Sequence, residues 1–153
     1  NFYDTTNTSK SLLKALKKIE NEDILWLNGD VVFEKKLLES IIECPQSCMA
    51  VNTNSVGEEE IKYNINQDGT LKDVSKSVSP ALGEAVGINK IISSDLTLFR
   101  KKLIECNNQD YFEKAIELSI KDGLKIIPTD ISDFLCMEID FQDDLSNINS
   151  MLK

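Results

Sequence analysis

Asp23-Ile24-Leu25-Trp26-Leu27-Asn28-Gly29-Asp30 is the stretch on which the fold turns. Its apolar run is too short for a helix and does not alternate with polar residues. It therefore reads as a strand buried on both faces, the mark of a parallel strand in an α/β sheet. Just past the strand stands an aspartate beside a glycine, at the carboxyl end where open α/β sheets place their ligands. Upstream, residues 9–20 read as a helix, with Leu12, Leu13, Leu16 and Ile19 on one face. Downstream, residues 34–44 return to helical spacing through Leu37, Leu38, Ile41 and Ile42, and Pro45 stops them. Cys48–Asn52 is a second apolar strand, which completes an α-β-α-β pattern of helices on a sheet.

The middle of the chain changes period. Glu60–Ile65 alternates, Asp68-Gly69 is a hairpin turn, and Leu71–Ser75 returns. Ala85–Ile91 follows as a strand, then helices over 94–106 and 110–122, the second closed by Gly123. Leu124–Ile127 and Phe134–Ile139 read as strands and 141–152 as a last helix. With no repeat or Gly/Pro-rich linker, residues 1–153 form one α/β unit. Its architecture is a mostly parallel open sheet with flanking helices and an antiparallel hairpin insertion.

Composition narrows the chemistry. Seventeen Lys plus Arg against 26 Asp plus Glu give a net charge of −9, so there is no basic footprint for nucleic acid. The chain has no histidine, which excludes Ser-His-Asp and Cys-His catalysis and histidine-based zinc sites within it. Cys44, Cys48, Cys106 and Cys136 are too sparse for a disulfide scaffold, and C-x-x-x-C is not a redox or zinc spacing. Four reduced thiols, with no apolar run approaching the roughly 20 residues of a membrane helix, fit a cytoplasmic protein away from membranes. Carboxylates, lysines, hydroxyls and metals are left to do any chemistry.

Asp30 and Asp140 each follow a predicted strand, 140 − 30 = 110 residues apart. If those strands lie side by side, the two carboxylates make a hard-oxygen site suited to Mg²⁺. A turn aspartate and a helix N-cap explain the same positions, and spacing alone favours that reading. Glu58-Glu59-Glu60 reads as a solvated loop.

A series of segments carries more. Leu27-Asn28-Gly29-Asp30-Val31-Val32-Phe33 resembles the metal-binding strand of the sugar nucleotidyltransferase-like superfamily, and Glu138-Ile139-Asp140 with Asp144-Leu145 resembles its closing E-I-D-x-x-x-D-L segment. Val74-Ser75-Lys76 resembles an I-G-K turn, and Gly83-Glu84-Ala85-Val86-Gly87-Ile88-Asn89-Lys90 a G-E-x-x-G-I-x-K strand. Thr6-Asn7-Thr8 with Ser11-Leu12 resembles T-N-x-x-x-S-L, and Tyr111-Phe112-Glu113 an aromatic-aromatic-Glu helix start. The branch most resembled is that of phosphocholine-type cytidylyltransferases and relatives acting on small phosphorylated alcohols or phosphonates.

That resemblance implies a Mg²⁺-dependent transfer of a nucleotidyl group, CTP being the favoured donor, to a small phosphorylated acceptor, with release of pyrophosphate. It implies Asp30 and Asp140 as metal ligands and Lys76 and Lys90 as phosphate contacts. It places Glu84 and Tyr111 at the acceptor and Asn7 and Ser11 near the nucleotide. A homodimer remains open.

Two departures qualify these expectations. The superfamily's Gly-rich nucleotide loop, of the type A-A-G-x-G-x-R, has no counterpart here, and the chain opens at Asn1 without Met. The chain is therefore expected to be the C-terminal two thirds of a longer nucleotidyltransferase domain and to bind nucleotide poorly alone. Cys136 occupies a position where an aromatic is common, which argues against choline in particular. Alternatives are a sugar-1-phosphate nucleotidyltransferase and a non-catalytic domain of the same fold. Glycosyl transfer ranks lower, because Asn28-Gly29-Asp30 supplies only one aspartate of a D-x-D.

Overall fold

The computed structural model describes residues 4–54 and 56–151. In chain order its elements are α1 (Thr8–Leu16), β1 (Ile24–Leu27), β2 (Val31–Phe33), α2 (Lys35–Glu43), β3 (Cys48–Asn52), β4 (Lys62–Ile65) and β5 (Leu71–Ser75). There follow β6 (Gly83–Ile91), α3 (Leu96–Glu105), α4 (Phe112–Lys121), β7 (Ile127–Asp130), β8 (Cys136–Glu138) and α5 (Gln142–Met151). Six strands form one sheet in the order β5-β4-β6-β3-β7, with β1 also paired to β6. β1, β3, β4 and β7 run one way, β5 and β6 the other. Most strands thus point together, helices flank the sheet, and β4–β5 is the expected hairpin.

One pairing departs from expectation. β1 lies antiparallel against β6, Ile24 opposite Ile91 through Leu27 opposite Ile88, rather than beside a parallel neighbour. Its unbroken apolar run records burial on two faces, not strand direction: Ile24 and Trp26 enter one core and Leu25 the other. β3 does the same, Met49 and Val51 facing the core beneath α1, α3 and α4, and Cys48 and Ala50 that beneath α2. The larger core is knit by Trp26, which stacks on Phe99 at 5.3 Å and meets Phe112 edge-on at 5.6 Å.

Other boundaries move for local reasons. α1 starts at Thr8, whose N–H donates to the Asn7 side chain at 2.8 Å, and ends at Leu16, short of the positive φ of 57° at Asn21. Leu124 and Ile126 are buried as an extended lead-in, and the strand itself begins at Ile127. The last predicted strand contracts to β8 and leaves the main sheet. It pairs with β2, a strand that periodicity does not show, in a separate two-stranded ribbon. The final predicted helix is α5; residue 152 lies outside the described residues. All four cysteines are free thiols, and burial, with Cys44 beside it, pushes Cys48 up to about 12.

Phe99 is fully buried beneath Trp26, so Phe99→Ala leaves a cavity that its neighbours cannot fill. Urea unfolding is expected to show a loss of about 3–5 kcal/mol.

Candidate active site

The ribbon joins two segments far apart in sequence. β2 and β8 run antiparallel with Val31 opposite Glu138. The ladder is prolonged by the Ile139 N–H, which donates to the Asp30 carbonyl at 2.9 Å. Glu138 and Asp140 are two residues apart on extended backbone, so their side chains fall on one side. Asp30 joins them: a carboxylate oxygen from each of Asp30, Glu138 and Asp140 lies within 4.8 Å of the others. The predicted convergence of Asp30 and Asp140 is present, and Glu138 adds a third carboxylate.

Asp140 is not consumed as a helix cap. That task falls to Asp144, whose carboxylate accepts from the Phe141 N–H at 2.8 Å and the Asp140 N–H at 3.2 Å. Asn28 supports the site from β1. Its N–H donates to the Gly87 carbonyl at 3.0 Å, and its side-chain amide reaches Glu138 at 3.5 Å. Gly87 has φ 72°, and a Cβ there would stand 2.6 Å from the Asn28 amide nitrogen. Only glycine lets Asn28 sit where it does.

The cluster opens into a pocket of about 290 Å³ lined by Asn28, Glu60, Ile61, Lys76, Tyr111, Glu113 and the two ribbon acids, among others. A neighbouring cleft of about 360 Å³ shares Glu60, Glu138 and Asp140 and adds Glu84 and Cys136. The lining is strongly acidic. Burial, then the charges of Asp30 and Asp140, raises the Glu138 carboxyl. Burial, then Glu84 and Asp140, raises Glu60, against the pull of Lys76. Glu113 is pushed up to about 7, chiefly by burial, with Glu138 adding repulsion and its own N–H and Lys76 opposing.

The remaining sequence candidates separate. Lys76 and Tyr111 line the pocket; Lys76 pairs with Glu59 across 3.4 Å, and Tyr111 is exposed. Glu84 lines the second cleft and accepts from the Gly57 N–H at 2.9 Å. Its strand β6 is central in the sheet. Lys90 is not brought to the pocket. Its ammonium donates to the carbonyls of Ile42 and Cys44 at 2.8 and 2.7 Å, and so caps α2. Asn7 and Ser11 do not line the pocket either: Asn7 caps α1, and Ser11 is exposed on that helix.

Three functional candidates went unassigned in the sequence. Glu138 carried a usable signal, its two-residue spacing from Asp140 within a strand. Glu113 stood in a quoted motif, but its desolvation depends on the fold. Glu60 departs from the solvated-loop reading, which holds for Glu58 and Glu59.

The donor set suits a magnesium ion. Three hard carboxylate oxygens on one side leave room for the water and phosphate ligands that this ion keeps. Among the described residues, Asp30 and Asp140 accept no side-chain hydrogen bond and form no ion pair with a lysine. A divalent cation would relieve the repulsion among the three carboxylates.

No family model and no curated protein sequence matches the chain. Solved structures do. The inositol-1-phosphate CTP transferase from T. maritima superposes with a TM-score of 0.81 at 17% identity, over 99% of this chain and 63% of that one. The CTP:phosphocholine cytidylyltransferase LicC from Streptococcus pneumoniae gives 0.76 at 14% identity, over 100% and 67%. A nucleoside-diphosphate-sugar pyrophosphorylase from Vibrio cholerae RC9 gives 0.63 at 12% identity, over 92% and 64%. The chain therefore shares the fold of these three solved structures. This chain spans about two thirds of the length of these structures.

Calorimetric titration with Mg²⁺ or Mn²⁺ is expected to show one divalent site that Asp30→Asn, Glu138→Gln and Asp140→Asn each abolish or severely weaken. Asn28→Ala, acting through Glu138, is expected to cost about 10–100-fold in affinity. Because the Glu138 carboxyl is raised, binding should weaken as pH falls through that raised value.

Glu113 gives a separate pH signature. Between its usual 4.5 and about 7 the folded chain holds a proton that the unfolded chain has released. Its contribution to stability therefore falls as pH rises across that window. Urea unfolding at pH 5 and 8 should show a smaller drop for Glu113→Gln than for the unchanged chain.

Proposed function

We propose that this chain is the acceptor- and metal-binding part of a nucleotidyltransferase that moves a nucleotidyl group, with CTP as the favoured donor, onto a small phosphorylated alcohol or phosphonate. The observation that carries the reading is the convergence of Asp30, Glu138 and Asp140 at one end of the β2–β8 ribbon. A phosphate or phosphonate oxygen of the acceptor attacks the α-phosphorus of the nucleoside triphosphate. The bond from that phosphorus to the bridging oxygen breaks, and pyrophosphate leaves. The nucleophile is already an anion, so no histidine is needed as base, and positioning with charge neutralisation supplies most of the rate.

Asp30, Glu138 and Asp140 would hold Mg²⁺, which neutralises charge on the α-phosphate when bound. Asn28 fixes the orientation of Glu138. Lys76, half-exposed and paired only to an exposed glutamate, is the cation positioned to release its partner for the acceptor's phosphate. Glu60 and Glu113 beside the Tyr111 ring suit an acceptor whose alcohol carries an amine. Tyr111 supplies an aromatic face that Cys136, in the neighbouring cleft, does not. This lining favours an amino-alcohol phosphate or phosphonate over a sugar 1-phosphate, which has no cation to place there.

A second reading is a non-catalytic domain of the same fold.

The test is pyrophosphate release by the gene product that carries this chain, with each nucleoside triphosphate against amino-alcohol phosphates, phosphonates and sugar 1-phosphates. Turnover with CTP and an amino-alcohol acceptor is expected, with Asp140→Asn inactive and Lys76→Ala raising KM for the acceptor. Metal binding without turnover on any pair would favour the non-catalytic reading, and full activity in Asp140→Asn would remove the metal assignment.

A further inference from the structure

We propose that Cys44 and Cys48 are a redox modification site, where a reversible disulfide ties the end of α2 to the start of β3. In the structure both are free thiols. α2 closes on Cys44 as its C-cap and β3 opens on Cys48, with Pro45 in the turn between them. The Cys48 side chain lies beneath the helix, and its thiol donates to the Ile41 carbonyl, in the last turn before Cys44, at 3.8 Å. Cys44 packs back against the same small core, which holds Leu37, Ile41 and Cys48. The two thiols are in side-chain contact there. A C-x-x-x-C spacing signals nothing by itself; the helix-to-strand turn is what brings its sulfurs together.

Lys90 holds both residues in place. It lies opposite Cys48 in the β3–β6 ladder, and its ammonium donates to the Cys44 carbonyl at 2.7 Å. One residue thereby fixes how the two backbones stand to each other, and a disulfide tolerates little error in that geometry. The other two thiols are placed differently. Cys106 belongs to the larger core, and Cys136 lies in β8 opposite Phe33.

Exposure sets the order of events. Cys44 is half-buried, whereas Cys48 is 1% exposed and burial keeps it protonated. Hydrogen peroxide therefore meets Cys44 first. The Cys44 sulfur takes one peroxide oxygen, the O–O bond breaks, and the departing hydroxide leaves as water with the thiol's proton. The Cys48 sulfur then displaces hydroxide from the resulting sulfenic acid, and its own proton completes a second water. Two thiols lose two electrons, and one peroxide becomes two waters. A dithiol reductant reverses the change. The bond forms at the amino end of β3, while Asn52 at the far end of that strand lines the second cleft. An inactive protein would carry the same switch.

Peptide mapping after peroxide treatment tests the site on the gene product that carries this chain. Trypsin releases Leu37–Lys62 as one peptide that holds Cys44 and Cys48 and no other thiol. After peroxide and alkylation this peptide is expected to carry no alkyl group and to be two hydrogens lighter than its reduced form. Dithiothreitol before alkylation should restore both thiols. Cys44→Ser should slow oxidation of Cys48 by about tenfold or more, since a buried thiol alone is inert. Cys48→Ala should accumulate a sulfenic acid at Cys44 that dimedone traps. Two alkylated cysteines in that peptide after peroxide would overturn the proposal. So would a bond from either residue to Cys136 or to a second chain, and so would Cys48 oxidising as fast without Cys44.

Discussion

β6 is shared by every part of the sheet that matters to the site. β3 runs along one of its edges, while β4 and β1 occupy the other in succession, β4 against Gly83 and Glu84 and β1 against Ile88 to Ile91. Between them lies a notch where β6 is met only by single bonds, the Ala85 N–H to Ile61 and the Asn28 N–H to Gly87. The notch is floored by Ala85 and Gly87, the small residues of the strand, and the pocket is this gap in the ladder. Because the chain leaves β1 at Asn28, opposite Gly87, and turns outward, it can form the β2–β8 ribbon above the notch. Lengthening β1 or β4 by a few residues would close the pocket and carry Asp30 away from β8.

Charge distribution within that notch is one-sided for a physical reason. A chain with net charge −9 has few cations to spare, and the structure uses its buried lysines elsewhere. Lys90 caps α2, and Lys102 sits between Glu105 and Asp122 at the α3–α4 contact. Lys76 alone among the lysines lines the pocket, against Glu60, Glu113, Glu138 and Asp140. The carboxyls of Glu60, Glu113 and Glu138 respond by rising, Glu113 most. Folding tolerates this arrangement because the Phe99–Trp26–Phe112 core lies outside the pocket and anchors β1 independently of it.

The sequence exposes those features that local periodicity or turn chemistry controls. The helices, β3, the β4–β5 hairpin and the apolar run of β1 all follow from spacing, and the positions of Asp30 and Asp140 follow from strand ends. What it hides is pairing. An apolar strand buried on both faces looks the same beside a parallel or an antiparallel neighbour, so β1 is misread in direction though not in place. Val31–Phe33 is too short for a period, and only its partner β8 makes it a strand. Lys90 shows the same limit at the scale of one side chain. Its motif position is unchanged, but two helix-end carbonyls reach it first. Glu113 and Glu60 acquire their altered acidity from neighbours that sequence does not bring together.

The three carboxylates are also graded in freedom, and the gradation follows from where each lies relative to the ribbon. Glu138 is within β8, half-buried and touched by Asn28, so its direction is set before any ligand arrives. Asp30 and Asp140 sit one and two residues beyond the paired segment, at the same end of the ribbon, exposed and unbonded through their side chains. One fixed carboxylate and two adjustable ones would suit a hard divalent cation that keeps part of its hydration shell. A cluster with all three buried would carry a desolvation cost that a partly hydrated magnesium ion repays poorly. One with all three exposed would leave the direction of the metal, and hence of any bound phosphate, undetermined. The short ribbon resolves this by half-burying Glu138 within the paired segment and leaving the two aspartates beyond it in water.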